Sequence, residues 1–552
     1  MPRALPWPAQ ALGLWLVASL LPGVAVGQAT LYWGQNGAGG SGTASAAGAW
    51  WTGTSQTTWS SSGIPGTVNL VFGGTAGTVV LGNNRSALDV KFETSNYTLA
   101  FGNSLGVSSF SGSGLASTTF VGSTTGTASV TISANADATF AGTIADGGGV
   151  TNFSKAGTGR LAISAYTATG RATITDGILR LNSASNVPPS FRFNNTGTGA
   201  IGILELAAGN YSLNFGSTTT GGLEMTTPNN NSGFSAIGGG RTVTMNNGTN
   251  DVVWWSGNSG GGSGNRLQAA ELILSGSDST GTLMLTHANA ATGFGLRLQS
   301  SSTSNSPGTY TRTIRTENGT AAIDAEIAMP LKNSTLADRI GAITKVGNGV
   351  LALSAANNYT GATTVSAGGL LINGTTAAAS TVTVSSGAFL GGTGFVGGAV
   401  TVDGAIAPGS DGIGTLTTGS DVTWNAGNSW FFSLGTPAAS LAAAAAAGTN
   451  NDYLNVGGAF NGSGGSYTFD FANSGSDGWY KLVGYSTTNF STGTNTQFAA
   501  SNVPSGKTAT FVVDSGSNAV YVQIVPEPST IFLAGMGVVF AGLVARQRRR
   551  RA

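Results

Sequence analysis

From Gln28 to about Ile524, apolar and polar positions alternate in runs of three to six residues, and each run ends on Gly, Asn, Ser or Asp. Thr381-Val382-Thr383-Val384 runs into Ser385-Ser386-Gly387. Ala399-Val400-Thr401-Val402 runs into Asp403-Gly404, and Ala405-Ile406-Ala407 into Pro408-Gly409-Ser410. A period of two bounded by turn residues predicts strands, and no long stretch keeps the helical period of 3.6. The one helical candidate is Ala438-Ala439-Ser440-Leu441 with the six alanines that follow, Ala442 to Ala447, read as a short helix or a flexible linker. Strands this short cannot bury a face singly, so they must pair or stack.

Internal self-similarity chooses between those options. Lys155-Ala156-Gly157-Thr158-Gly159-Arg160-Leu161-Ala162-Ile163-Ser164-Ala165 aligns with Lys345-Val346-Gly347-Asn348-Gly349-Val350-Leu351-Ala352-Leu353-Ser354-Ala355. The first copy continues through Thr169-Gly170, Thr173-Ile174-Thr175 and Asp176-Gly177-Ile178-Leu179. The second continues through Thr360-Gly361, Thr364-Val365-Ser366 and Gly368-Gly369-Leu370-Leu371, with one extra residue in its turn. Each unit reads strand, turn, strand, Gly turn, strand.

This unit resembles the autotransporter-associated β-strand repeat, also called the passenger-associated transport repeat. The second copy carries the pattern nearly whole, including Asn357-Asn358-Tyr359-Thr360-Gly361, while the first has Tyr166-Thr167-Ala168 in place of the Asn-Tyr element. Repeats are placed at about 155–182 and, with a similar style continuing downstream, at 345–416. The resemblance implies an all-β, elongated, right-handed parallel β-helix. At about 20 to 25 residues per coil, such a body would have roughly 20 coils and a length of about 100 Å. The expected organisation is a β-helix body over 28–450 and a C-terminal β cap over 451–524. The Trp-rich entry (Trp33, Trp50, Trp51, Trp59) is the expected N-terminal cap.

The two ends read as sorting signals. Arg3, an apolar run from Ala11 to Leu21 and the small residues Ala25-Val26-Gly27 have the layout of a secretory signal peptide over 1–27, cleaved before Gln28. At the other end, Val525-Pro526-Glu527-Pro528 leads into fifteen apolar residues, Ile531 to Ala545, followed by Arg546, Arg548, Arg549, Arg550 and Arg551. As a helix this run rises about 22 Å, short of the ~30 Å hydrocarbon core, so flanking arginines would snorkel. The basic cluster favours the cytoplasmic side. The segment 525–552 resembles the PEP-CTERM sorting domain: a Pro-Glu-Pro tripeptide, a single membrane helix and an Arg tail. That resemblance implies a transient partner, an exosortase-type membrane protease. It also implies an inner-membrane intermediate, then surface or extracellular delivery, in a Gram-negative-type bacterium that makes extracellular polysaccharide.

Composition narrows the chemistry. Of 552 residues 88 are Gly, charged residues are 8%, there is no Cys and one His. Without Cys there is no thiolate nucleophile or thiolate zinc site. Once both ends are removed the body carries a charge of −4 to −5, with no basic patch to neutralise phosphates, so nucleic acid is not an expected partner. No catalytic constellation is visible, and no cofactor or metal is expected, with Ca²⁺ left open. Asp324 and Glu326, two apart, read as a solvated strand edge in preference to a cation or sugar site. His287 reads as an ordinary surface residue. Asp146-Gly147-Gly148-Gly149 and Asp411-Gly412-Ile413-Gly414 read as tight turns, and 256–264 as a Gly/Ser loop. Trp50-Trp51 and Trp254-Trp255 each put one ring on either face of a strand. Core packing is the favoured reading, and sugar stacking by the outer ring is the functional one.

The resulting expectation is a secreted or cell-surface structural or adhesive rod, associated with extracellular polysaccharide, a biofilm matrix or other surface proteins. The alternative is a polysaccharide-degrading β-helix enzyme, with carboxylates assembled from distant coils.

Overall fold

The structure is a computed structural model that describes residues 30–527 apart from interior gaps, the longest of them 58–68 and 255–265. The expected signal-peptide residues Ala25 and Gly27, the side chains of Trp51 and Trp59, Trp255, the Gly/Ser loop, Pro528, the apolar run 531–545 and the arginines 546 and 548–551 lie outside the described residues. Among the described residues no helix is long and apolar enough to cross a membrane.

The alternating pattern is realised as strands that pair with the next turn of the chain. One parallel ladder of eighteen strands runs from Gly42–Thr43 to Thr487–Thr488. Seventeen steps at about 4.8 Å make it roughly 80 Å long. A second parallel ladder forms the opposite face, and inward positions stack in columns. Leu351, Leu370, Leu390 and Ile406 stand in register on four successive coils. All four are buried in one continuous hydrophobic cluster that extends from Leu31 to Ile524. The period of two therefore has a simple cause: Val, Leu, Ile and Phe at alternate positions fill the interior, and Thr, Ser and Ala face out.

Coil length is less regular than expected. In the repeat region Leu351 pairs with Leu370, whereas further upstream Ser232 pairs with Leu272 and Glu271 with Thr313, close to a doubling of the coil. The longer coils carry a third face, the parallel strands Val252–Trp254, Arg266–Leu267, Leu296–Arg297 and Leu331–Lys332. Within the alanine run, Leu441–Ala446 forms a short α-helix.

Parallel pairing gives way to antiparallel pairing at both ends. At the entry, Thr30–Trp33 pairs antiparallel with Trp50–Trp51, which pairs with Gln56–Thr57. The indoles of Trp33 and Trp50 meet edge-on at 5.1 Å, and Trp50 meets Phe72 at 5.6 Å. At the exit, parallel stacking continues past residue 450 as far as Phe498–Ser501 on Tyr467–Asp470. Gly478–Gly484, Ala519–Pro526 and Lys507–Asp514 then form an antiparallel sheet with Ala519–Pro526 in the middle. Antiparallel strands laid over the last coils cover edges that would otherwise template pairing between molecules.

Candidate functional site

The repeat is built around a buried ammonium. The Lys345 Nζ donates to the carbonyls of Gly347 (2.8 Å), Gly349 (2.7 Å) and Ala367 (3.0 Å), the last on the following coil. Lys155 does the same with Ala156 (2.9 Å), Gly157 (2.6 Å) and Asp176 (3.0 Å). Three donors thus meet three carbonyls at a glycine turn and tie it to the next coil. Burial pushes both ammonium groups down to about 8, against the pull of Glu317 and Asp324 on Lys345 and of Asp176 on Lys155. The glycines of the motif are needed for close approach. A Cβ on Gly368, whose φ is +62°, would lie 2.4 Å from the Gly349 oxygen, and Gly177 is in the same position against Gly157 and Gly159.

Buried tyrosines close the corners. The Tyr359 hydroxyl bonds Thr363 Oγ1 at 2.7 Å, and the Tyr166 hydroxyl lies between the carbonyls of Thr151 and Gly170, at 2.9 and 2.8 Å. Tyr166 therefore serves the first repeat as Tyr359 serves the second, although it sits three places earlier in the aligned motif. Burial pushes the Tyr359 phenol up to about 12.

Carboxylates that look scattered in the sequence are engaged across coils. Asp324 is fully buried, and its two oxygens accept from the amides of Gly319 (2.7 Å) and Val350 (2.8 Å). This corrects the solvated-edge reading: the residue precedes its strand and caps the amide that opens the next coil, while Glu326 is half-buried. Asp146 likewise accepts from Thr151 N and from the Thr169 amide and hydroxyl on the following coil. Burial works to raise its pKa, but these donors win and hold it below the usual range. Glu205, fully buried, takes Arg160 Nε at 2.9 Å and Arg180, and Glu224 takes Arg171 at 3.0 Å and Arg192 at 3.2 Å. Among the described residues no group of three or more His, Asp or Glu is placed to hold a metal ion.

His287 also departs from its surface reading. It ends the strand Leu283–His287, whose odd positions point inward, and only 2% of it is exposed. Its Nδ1 accepts from the Asn289 amide and its Nε2–H donates to the Asn250 carbonyl, both at 3.0 Å. Both ring nitrogens are satisfied in the neutral tautomer, and burial holds the pKa below its ordinary value.

Trp50 and Trp254 are core residues with no exposed face. Trp51 and Trp255, the outer rings of the two doublets, lie outside the described side chains, and among the described residues one exposed aromatic was missed by the sequence reading. Phe431 is 47% exposed and stands with half-buried Phe389 between two grooves. One groove includes Leu371, Ala407, Pro408 and Asp411, and the other Gly387, Gly404, Ala405 and Asn428; neither lining contains a basic residue.

The start of the exit motif is part of the terminal sheet. Val525 pairs with Thr508 and Pro526 with Lys507, and the Glu527 amide donates to the Gly506 carbonyl at 2.8 Å. The expected boundary at 524/525 therefore falls inside the strand Ala519–Pro526.

Family models match at the places this geometry singles out. The passenger-associated-transport-repeat model matches residues 153–181 and 343–372, and the PEP-CTERM protein-sorting motif matches residues 525–550. The chain carries two passenger-associated transport repeats and a PEP-CTERM sorting motif. No curated protein matches the chain. Each repeat match encloses one lysine clamp and its glycines. The sorting motif marks the protein as exported, processed at the membrane by an exosortase-type protease and delivered to the surface.

Proposed function

We propose that the protein is a structural or adhesive rod of the cell exterior, a right-handed β-helix delivered by its PEP-CTERM motif and held against extracellular polysaccharide in a biofilm-type matrix. The single observation that supports this most is the continuity of the sorting motif with the rod: Val525 and Pro526 are the last paired residues of the terminal sheet. The buried acids described above are engaged with amides and guanidinium groups, which favours a scaffold over a carboxylate catalyst. The rings of Phe389 and Phe431 supply apolar faces of the kind that stack on sugar rings, and grooves without cations suit a neutral polymer better than a polyanion.

The test is fractionation of cells making the tagged full chain, with Pro526-Glu527-Pro528 intact or replaced by Ala-Ala-Ala. The intact chain is expected in the exterior fraction and the variant in the membrane fraction. Equal distribution of the two would refute the sorting half of the proposal. Retention of the purified body on the producer's neutral polysaccharide, weakened in Phe431→Ser, supports the adhesive half. Release of new sugar ends would favour the enzyme reading instead.

A further inference from the structure

The groove that holds Asp411 has an apolar floor. Leu371, Gly391 and Ala407 are in register on three successive coils, one position along from the inward column of Leu370, Leu390 and Ile406, so they face outward. Gly391 has no side chain and Leu371 leans across it: a Cβ there would lie 2.9 Å from Leu371 Cδ2. With Phe389 and Phe431 these residues bound a space of about 260 Å³. Sites for whole small molecules begin at roughly 300 Å³, so this one suits a short stretch of a polymer.

One wall is the turn 410–413, held between two fixed points. Gly409 and Gly392 exchange backbone bonds at 3.0 and 2.8 Å, and the Gly414 amide donates to Asp452 Oδ1 at 2.9 Å. The Ser410 hydroxyl accepts from the Asn373 side-chain amide at 2.9 Å. Between these anchors Asp411 sits at φ +59°, in the left-handed region that residues with a Cβ seldom occupy. The two carboxylates of the groove are used differently. Asp452 is buried, and its oxygens are taken by the amides of Gly414 and of Ser433, the latter at 2.6 Å. Asp411 is exposed and accepts from no donor among the described residues. The fold makes no use of its carboxylate, and glycine would hold the same backbone without strain.

An ionised carboxylate only accepts, so its complement is a pair of donors without negative charge. Neighbouring hydroxyls on a sugar ring are such a pair, and the C–H face of the ring is an apolar surface for Phe431 to cover. We infer that this groove holds one ring of a neutral polysaccharide, with the ring face on Phe431 and two neighbouring hydroxyls donating to the carboxylate of Asp411. This rests on the adhesive half of the proposed function and gives it a selecting residue. Sugars that carry carboxylates of their own are rejected, because two like charges would meet at Asp411.

The full chain, purified in detergent, is titrated against beads carrying the producer's neutral polysaccharide, the same polymer O-methylated, or polygalacturonate. Wild type should bind the first and neither of the others. Asp411→Asn removes the charge, and Asn tolerates a positive φ as well as Asp does, so its melting temperature should match wild type. Its binding to the neutral polymer should fall about tenfold, the usual loss when a hydrogen bond to a charged group goes. Asp411→Gly should melt no lower than wild type and show the same loss. Neutral-polymer binding that both variants leave unchanged overturns the inference, as does equal binding of the O-methylated polymer or of polygalacturonate by wild type. Binding weakened by Phe431→Ser but by neither Asp411 variant overturns this inference alone and leaves the adhesive reading standing. Wild type that binds none of the three polymers refutes the adhesive reading, and the role of Asp411 with it.

Discussion

Arg180 and Glu205 stand directly opposite one another on adjacent coils, at the same position of two five-residue segments that differ only there. Gly177-Ile178-Leu179-Arg180-Leu181 stacks on Gly202-Ile203-Leu204-Glu205-Leu206, so the hydrophobic columns and the charge pair are set by one register. Arg160 joins the same carboxylate from the coil before.

Glu205→Gln should destabilise the body by about 2–4 kcal/mol, because it removes the buried carboxylate that Arg160 and Arg180 share and leaves them only the more exposed Asp137 and Asp278. Chemical denaturation of the variant measures this. The double variant Arg180→Gln/Glu205→Gln should cost less than the sum of the single changes, since the two residues are in contact. Strict additivity would show that the pair is not coupled.

Lys345→Met should cost about 2–3 kcal/mol, since it takes the ammonium donor from three carbonyls, of which Gly349 keeps only the Gly369 amide at 3.2 Å. The pH dependence has a definite sign. In the folded chain Lys345 loses its proton near 8, and in the unfolded chain near the ordinary 10.5. Between those values the unfolded state holds the extra proton, so raising the pH favours folding. Wild type should therefore gain stability relative to Lys345→Met as the pH is taken from 8 to 10.5, as followed by thermal melting.

Gly368→Ala combines a left-handed φ of +62° with a Cβ placed 2.4 Å from a carbonyl oxygen, and should cost about 3 kcal/mol. Gly387 has a φ of +80° and nothing within 4 Å of the same atom. Gly387→Ala should cost only about 1 kcal/mol. Melting temperatures of the two variants, measured side by side, separate close approach from backbone strain.

The single histidine gives a single imidazole signal, readable by NMR in a chain tagged without histidines. His287 should titrate below its ordinary 6.5, because burial opposes the charged form. As the pH falls through 6.5 the unfolded chain takes up the proton first, so stability declines on acidification. His287→Gln should remove that part of the decline.

Much of the architecture was readable because a solenoid writes its packing into short, local patterns. The period of two, the glycine punctuation and the two Lys-Gly units at 155 and 345 each lie within a short stretch of chain. What failed was information carried by parity and by register. Whether His287 faced in or out turned on its being an odd position of Leu283–His287, which a strand boundary wrong by one residue inverts. The charge pairs needed the register between coils, and in the long coils, such as the one from Ser232 to Leu272, nothing local supplies it. Gly-Ile-Leu-Arg-Leu at 177 and Gly-Ile-Leu-Glu-Leu at 202 were the exception, a visible register that went unread. Exposed Phe431 and half-buried Phe389 were missed because they meet only where distant coils stack, which no local pattern shows.

Order in this chain comes from coil paired on coil in register, and the absence of cysteine makes that pairing directly measurable. Thr364, Thr383 and Thr401 face outward on three successive strands and pair in register, Thr364 with Thr383 and Thr383 with Thr401. Neighbours are about 4.8 Å apart, within disulfide reach, and the outer two about 9.6 Å, beyond it. On mild oxidation Thr364→Cys/Thr383→Cys and Thr383→Cys/Thr401→Cys should crosslink within each chain, and Thr364→Cys/Thr401→Cys should not. Crosslinking of the outer pair, or its absence in both neighbouring pairs, would contradict the stacked solenoid.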